Sequence, residues 1–438
     1  MKKHTLAVFS FFIINILHSQ ETVSIAEGKT LIEGKKYTEA IAFFEQYSDQ
    51  QPEDPQGYFY LGIASLENYQ LKKAIFSFSI AMELGMESVS VYSNRGYAHS
   101  LNQDFNEAIK DYTKAIELEK SHDLYYTRGL LNFNLGKHDR SLSDLDRAIH
   151  LSEGAEVDYF IDRGNIHYHL KNYNEAKEDY KKVVSLREEA GVYYQLAALE
   201  SKFGRFKDAI IYLDKAIKLD DTQVDYYDLR AYCRIELKQY KQAIKDLDKA
   251  GELDPHEAAH YEERGLAYHK LGDYTKAIID FSKAIEVQPK NAQLYINKAA
   301  SLNRLKKYDD VIVCLQQLLV IDPDKRDTYI YLGDAYYAKE DYKKAAELYS
   351  NYMLDDATNQ TAYRKRGDAY FYAKEYQRAV EDYDQVVKMN SKHALAYNNR
   401  GLSKFNLKDM QGACTDLKQA YDLGNKQSYE LLKKNCKN

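Results

Sequence analysis

The chain has 438 residues, with 61 Lys and Arg against 67 Asp and Glu for a formal net charge of −6. A content of 45% hydrophobic and 29% charged residues excludes a disordered chain, and 5 prolines with 20 glycines leave no Pro-, Gly- or Ser-rich linker. No cluster of Lys and Arg stands out, which argues against nucleic-acid binding, and the acidic balance is repelled by anionic lipid.

Residues 1–20 differ from everything after them. Lys2 and Lys3 precede an apolar run from Leu6 to Leu17, interrupted by Ser10 and Asn15, and the small Ser19 follows. That order is a positive n-region, an apolar h-region and a cleavage point, the pattern of a signal peptide. As a helix the run would span about 18 Å, short of a ~30 Å hydrocarbon core. An uncleaved anchor is the lesser alternative. We expect cleavage near residue 19 or 20, export to the periplasm or the medium, and no stable membrane insertion afterwards.

From there on the chain repeats. Small residues recur as Gly28, Gly62, Gly96, Gly129, Gly164, Ala197, Ala231, Gly265, Ala299, Gly333, Gly367 and Gly401, spaced 33 to 35 apart. Twelve residues after each comes a second small marker, such as Ala40, Ala74, Ala243, Ala277 and Ala413, with Ser141 and Val311 the exceptions. The segment from Tyr261 to Val287 shows the helical period, with a Gly272-Asp273 turn between two amphipathic stretches. Small residues at fixed sites let two helices approach closely, and a bulky side chain there would overpack by ~1–3 kcal/mol. A lone hairpin cannot bury both faces, so each unit must lean on its neighbours.

This spacing resembles the tetratricopeptide repeat, two antiparallel helices per 34 residues, over residues 21–425. The family's Trp slot is filled by Tyr or Phe in eleven units, as at Tyr58, Tyr92, Tyr125, Phe160 and Tyr193, because the chain has no Trp. The resemblance implies an all-α, right-handed superhelical solenoid of about twelve hairpins. Residues 426–438 read as a C-terminal capping helix with Tyr429, Leu431 and Leu432 on one side.

Seven units carry an arginine just before the first marker and an aspartate sixteen residues later. The pairs are Arg95/Asp111, Arg128/Asp144, Arg163/Asp179, Arg230/Asp246, Arg264/Asp280, Arg366/Asp382 and Arg400/Asp416. The other five units hold neither member, as in Leu61/Ser77 and Lys298/Cys314. All-or-none pairing predicts a direct, partly buried ion pair between the two helices of each such hairpin.

Of four cysteines, Cys233 and Cys314 are too far apart in a solenoid to bridge and read as small buried hydrophobes. Cys414 occupies a slot that elsewhere faces the next unit (Ile244, Ile278), where the capping helix with Cys436 packs. An oxidising compartment favours a Cys414–Cys436 bridge over two free thiols.

Catalytic patterns are scarce. His256-Glu257-Ala258-Ala259-His260 matches a zinc-protease string, but the repeat phase puts His256 in the turn after Pro255, so the imidazoles would not share a helical face. We expect no catalytic residue, no metal and no cofactor. First-helix positions that line the concave face in this family hold Phe59, Tyr97, Tyr126, Phe133, Tyr168, Tyr194 and Tyr232, joined by the acids Asp225, Asp228 and Glu262. Aromatic walls with acidic points suit an extended peptide. The reading is a non-catalytic interaction scaffold of a bacterial cell envelope with a protein or peptide partner. A glycan- or cell-wall-binding module is the alternative, and a metal-dependent hydrolase the least favoured.

Overall fold

The computed structural model describes residues 24–354 and 358–436. The signal peptide read from residues 1–20 lies outside them. Every regular element among the described residues is an α-helix, 25 in number. The chain divides into two compact units, the first ending at Val192 and the second beginning at Tyr193.

Unit one pairs α1 (Ile25–Glu33) with α2 (Tyr37–Gln50), α3 (Pro55–Glu67) with α4 (Leu71–Glu83), α5 (Val89–Leu101) with α6 (Phe105–Leu118), α7 (His122–Asn134) with α8 (His138–Leu151), and α9 (Val157–His169) with α10 (Tyr173–Leu186). Unit two holds most of α11 (Ala190–Lys202), then α12 (Phe206–Leu219), α13 (Val224–Glu236), α14 (Tyr240–Leu253), α15 (Ala258–Leu271), α16 (Tyr274–Val287), α17 (Ala292–Arg304) and α18 (Tyr308–Ile321). It continues with α19 (Asp327–Ala338), α20 (Tyr342–Met353), α21 (Gln360–Tyr372), α22 (Tyr376–Met389), α23 (Ala394–Asn406), α24 (Met410–Asp422) and the terminal α25 (Lys426–Asn435). These are the twelve hairpins and the capping helix that the period marks out.

Each hairpin turns through one residue in the left-handed region. Glycine fills that place at Gly136, Gly204 and Gly272, but nine turns use other residues, among them Lys35, Tyr69, Lys238 and Lys374. A side chain there costs about 1 kcal/mol, so packing of the paired helices and not local preference fixes these turns. The markers act by proximity. A Cβ added at Gly62 would stand 2.6 Å from Phe78, and one at Gly265 would stand 2.8 Å from Phe281. The apolar faces so brought together form the cores, for example Phe78, Tyr112 and Ile116 in unit one and Leu315, Leu318 and Leu332 in unit two.

The arginine–aspartate pairs hold each of the seven hairpins across its interior. In six of them, Arg95–Asp111, Arg128–Asp144, Arg163–Asp179, Arg264–Asp280, Arg366–Asp382 and Arg400–Asp416, Nε and Nη2 meet the two carboxylate oxygens at 2.5–3.0 Å. Arg230 puts both donors on Asp246 Oδ1, because Arg234 Nη1 donates to Oδ2 at 2.6 Å. Six of the arginines also lie 5.1–5.6 Å from the ring three residues earlier, as Arg264 does over Tyr261.

The pairs are partly buried, as expected, with the burial divided unevenly between the two partners. Only the arginines are partly exposed, with side chains at 13–21%. The aspartates Asp111, Asp144, Asp179, Asp246, Asp280, Asp382 and Asp416 are fully interior, at 2–6%. A small marker residue, glycine in six of these hairpins and Ala231 in the seventh, goes with this burial. A Cβ built on Gly96 would stand 3.2 Å from that of Asp111, one on Gly164 3.2 Å from that of Asp179, and one on Gly401 3.3 Å from that of Asp416. The missing side chain on the first helix lets the short carboxylate sink against its backbone, while the longer arginine reaches in from the surface. Removing the arginine therefore strands a charge in a low-dielectric site.

A third donor reaches further than the sequence reading foresaw. Nη1 of each arginine donates to the second helix of the preceding hairpin: Ser79, Thr113, Asp146, Asp214, Asp248, Ser350 and Asp384 in turn, at 2.6–3.1 Å. The arginine therefore ties three helices, two of its own hairpin and one before it. The sixth hairpin replaces this device with Glu200, 2% exposed, paired with Arg205 across its turn.

The terminal helix is fastened in two ways. Ser428, fully buried, donates to Asn398 Oδ1 at 2.9 Å, and Cys414 is bonded to Cys436 with Cα atoms 5.7 Å apart. Cys233 and Cys314 are free and buried. A crosslink that removes freedom from the unfolded cap stabilises it, in the chain-entropy view by about 3 kcal/mol for a loop of this order.

Asp280→Asn should lower the stability of the eighth hairpin by about 3 kcal/mol, because Arg264 loses its buried counter-charge. Asp248→Asn, at the half-exposed third contact, should cost under about 1 kcal/mol. Denaturant melts of the two variants against the parent protein check the ratio.

Candidate functional site

The aromatic and acidic residues expected to line a binding surface lie on first helices, and each compact unit carries its own set. In unit one, α7 and α9 bring two tyrosines together. The rings of Tyr126 and Tyr159 stack with centroids 4.3 Å apart. Tyr126 donates to Asp162 Oδ2 at 2.5 Å, and Tyr159 donates to Asp123 Oδ1 at 2.6 Å with His122 Nδ1 at 2.9 Å. Burial, and then the adjacent carboxylates, push both phenols well above their ordinary range, so they act as neutral donors. Phe133 packs between His138 and His169, at 5.6 and 5.5 Å. Tyr168 meets Tyr173 edge-on at 5.5 Å. Tyr97 is 49% exposed and open to a partner. Phe59 differs from the expectation: it packs against Phe78 and the core cluster of its own hairpins, since the first-helix glycine beside it draws that helix close to α4.

In unit two, Tyr194 lies 5.3 Å from Tyr226, and Tyr232 is 43% exposed beside Phe206. Acidic groups gather between α13 and α15. Asp225 is exposed, Asp228 Oδ2 lies 3.2 Å from Nε2 of the buried His260, and Glu262 accepts from Asn297 at 3.4 Å. His260 Nδ1 faces Asp254 O at 3.2 Å, so both ring nitrogens meet oxygen atoms. Glu263, not singled out from sequence, stands beside them. Desolvation first, then Asp228, raises its carboxyl; desolvation likewise raises Asp228 and Glu262.

A cavity of about 350 Å³ opens between α17, α18 and α19, lined by Ile296, Ala299, Ala300, Asn303, Val311, Leu315, Tyr331, Asp334 and Ala335. Ile296, Ala300 and Asn303 stand in the slots that Tyr194, Tyr232 and Phe133 fill in other hairpins. The sequence reading missed them because none is aromatic or acidic. The available signal was the small Ala300 in a slot that holds Ile63, Tyr97, Leu130 and Tyr232 in other hairpins, though Ala198 shares it in the sixth. Tyr331 is half-exposed at the rim, while Asp334 accepts from Tyr349 at 2.7 Å and from Lys365 at 2.5 Å.

The zinc-protease string is split by local structure. α15 starts at Ala258 with Glu257 as its cap, His256 is exposed ahead of it, and His260 is buried against Asp228. Among the described residues no group of three or more His, Cys, Asp or Glu could hold a metal ion, and no helix is long and apolar enough to cross a membrane.

Because the Glu263 carboxyl is raised, the folded chain binds its proton more tightly than the unfolded chain does. That contribution is present at low pH and lost as pH rises through the raised value. Glu263→Gln should therefore raise Tm by roughly 1–3 °C at pH 7–8, with the gain vanishing toward pH 4. Thermal melts across that pH range measure it.

Residues 89–122, 157–190, 190–223, 224–257, 258–291 and 364–428 match the tetratricopeptide repeat family, together more than half of the chain. The chain is similar to tetratricopeptide repeat protein 13 of Homo sapiens, 28% identical over 140 residues that are 30% of this chain and 16% of that protein. It is also similar to tetratricopeptide repeat protein 36 of Xenopus tropicalis, 33% identical over 95 residues, 20% of this chain and 47% of that protein. The chain thus spans less than half the length of either relative. A solved tetratricopeptide repeat protein from Parabacteroides merdae is 19% identical, with 56% of this chain and 98% of that one covered at a TM-score of 0.39. Period, hairpins and family matches lead to one assignment: the chain belongs to the tetratricopeptide repeat family.

Proposed function

We propose that this chain is a non-catalytic scaffold of a bacterial cell envelope, exported by its N-terminal segment, which holds a polypeptide partner on its first-helix surfaces. Tetratricopeptide repeats are protein-interaction modules. The observation that carries the finer reading is the cavity between α17, α18 and α19. It is of the size of a small-ligand site, has an apolar floor of Ile296, Val311 and Leu315, and carries the polar groups of Asn303, Tyr331 and Asp334. An apolar side chain of an extended segment would anchor there, with its backbone reaching Asn303. The exposed Tyr97 of unit one and Tyr232 of unit two supply further amphipathic contact area. Lys2, Lys3 and the apolar run to Leu17 support export.

Ala300→Trp fills the cavity from within. Relative to the parent protein, the variant should recover its polypeptide partner from envelope extract at least about tenfold less well, the loss of one buried anchor, while Tm stays within a few degrees. Equal recovery would remove the cavity from the binding surface, and recovery of wall sugar without any polypeptide would replace the scaffold reading with the glycan-binding one.

A further inference from the structure

A second cavity, of about 430 Å³, lies in unit one and is lined by Ile109 and Thr113 of α6, Arg128 and Asn132 of α7, and Asp139, Arg140, Ser143 and Asp144 of α8. None of the expected groove residues lines it. Its origin shows on comparing the fourth hairpin with the eighth and eleventh. Counting from the markers Gly129, Gly265 and Gly367, the slot of Asn132 holds Tyr268 and Tyr370, and the slot of Arg140 holds Lys276 and Arg378. In the eighth hairpin Lys276 Nζ lies 5.2 Å from the centre of the Tyr268 ring. In the eleventh, Tyr370 has Arg378 at 5.5 Å and Arg366 at 5.9 Å, the latter being the arginine of the buried pair. The fourth hairpin keeps both cations, Arg128 and Arg140, and the paired aspartate, Asp144, but has no ring between them.

What remains is an open space at the slot that a tyrosine ring fills in the eighth and eleventh hairpins. Asn132 is 3% exposed and donates through Nδ2 to Asp144 Oδ2 at 3.1 Å, while its Oδ1 is buried without a hydrogen-bond partner. A buried amide oxygen left unpaired costs about 1–3 kcal/mol, so a ligand bearing an O–H gains by reaching it. Arg140 is exposed and makes no hydrogen bond or ion pair with any described residue. A guanidinium in that state is ready to lie over an aromatic face.

We propose that this cavity is a docking site for a tyrosine side chain of a partner polypeptide, its ring under the Arg140 guanidinium and its phenol O–H donating to Asn132 Oδ1. Tyr268 and Tyr370 are the chain's own precedent for a ring beside the cation at this slot, and the unpartnered Asn132 Oδ1 is what calls for a hydroxyl on that ring. The site is separate from the first-helix surface proposed above, and neither depends on the other.

The test titrates the full chain with N-acetyl-tyrosine-amide and with the corresponding phenylalanine and leucine amides, followed by NMR shifts of Asn132 and of the Arg140 Nε–H. The expected order is tyrosine, then phenylalanine weaker by roughly tenfold for the lost hydrogen bond, with leucine not saturating. Asn132→Tyr restores the internal ring: it should abolish tyrosine-amide binding and leave Tm unchanged or higher. Arg140→Ala should weaken binding severalfold without altering the fold. Equal binding of the leucine amide, undiminished binding by Asn132→Tyr, or no saturable shift at either residue would each overturn the proposal. A peptide carrying one tyrosine between glycines should bind at least as well as the amide; a free phenol that binds while the peptide does not would show a small-molecule pocket and overturn polypeptide docking.

Discussion

The fold depends on an arginine that does three things at once. In seven of the twelve hairpins its fork neutralises a buried aspartate and its remaining Nη1 reaches the hairpin before; in six of these its plane also lies against an aromatic ring three residues earlier. Hydrophobic contact alone is non-directional and would let neighbouring hairpins slide along their apolar faces. A planar guanidinium with fixed donor directions does not permit that, and lysine, with a single point charge, could not replace it. The glycine and alanine markers serve the same end. They bring the two helices of a hairpin close enough for a side chain on one to cross to the other, as the Gly265–Phe281 approach shows.

Cavities lie where this arrangement is varied. The ninth hairpin holds Lys298 and Cys314 in place of the pair and adds Ala299 and Ala300, and a cavity opens against α19. The fourth hairpin keeps the pair but holds Asn132 in the slot that Tyr268 and Tyr370 fill in the eighth and eleventh, and a different cavity lies there with an unpaired amide oxygen at it. One repeated hairpin thus carries distinct cavities where the residues at equivalent slots differ. The acidic group around Asp228, His260 and Glu263 is a third variation, in which burial raises the carboxyls of Asp228 and Glu263.

Much of the fold was legible in the sequence, because a period repeated twelve times averages out local ambiguity. The Arg–Asp contacts were legible for a different reason: each aspartate appears only with its arginine, so Arg95/Asp111 and six like it could be read as pairs. Their partial burial was expected too, but not its division: Asp111, Asp179 and Asp416 are interior while the arginines reach the surface, since pairing in a sequence says who meets whom and not how closely the helices approach. The third contact escaped because its partner belongs to the previous unit. The slot two residues beyond the aspartate holds Ser79, Thr113, Asp248 and Asp384 before arginine-bearing hairpins, but it also holds Ser282 before Lys298 and Glu45 before Leu61, so an acceptor there does not by itself mark the contact. The left-handed turns at Lys35 or Lys374 could not be read, since only glycine announces that conformation in a sequence. The groove was read in part. Tyr97 and Tyr232 are open, but Phe59 joins the core and Tyr126 is held by Asp162, because residue type at an inward slot does not reveal which neighbour claims it. The cavity at Ala300 was missed for the opposite reason, since a pocket is made by what is small.

The central claim is that each arginine binds neighbouring hairpins together and not only its own pair of helices. Native-state hydrogen exchange of Arg264→Met measures this directly. The account predicts faster exchange in α15 and α16 and also in α14, whose Asp248 accepts the third donor. Loss of protection confined to α15 and α16, with α14 as protected as in the parent protein, would contradict it.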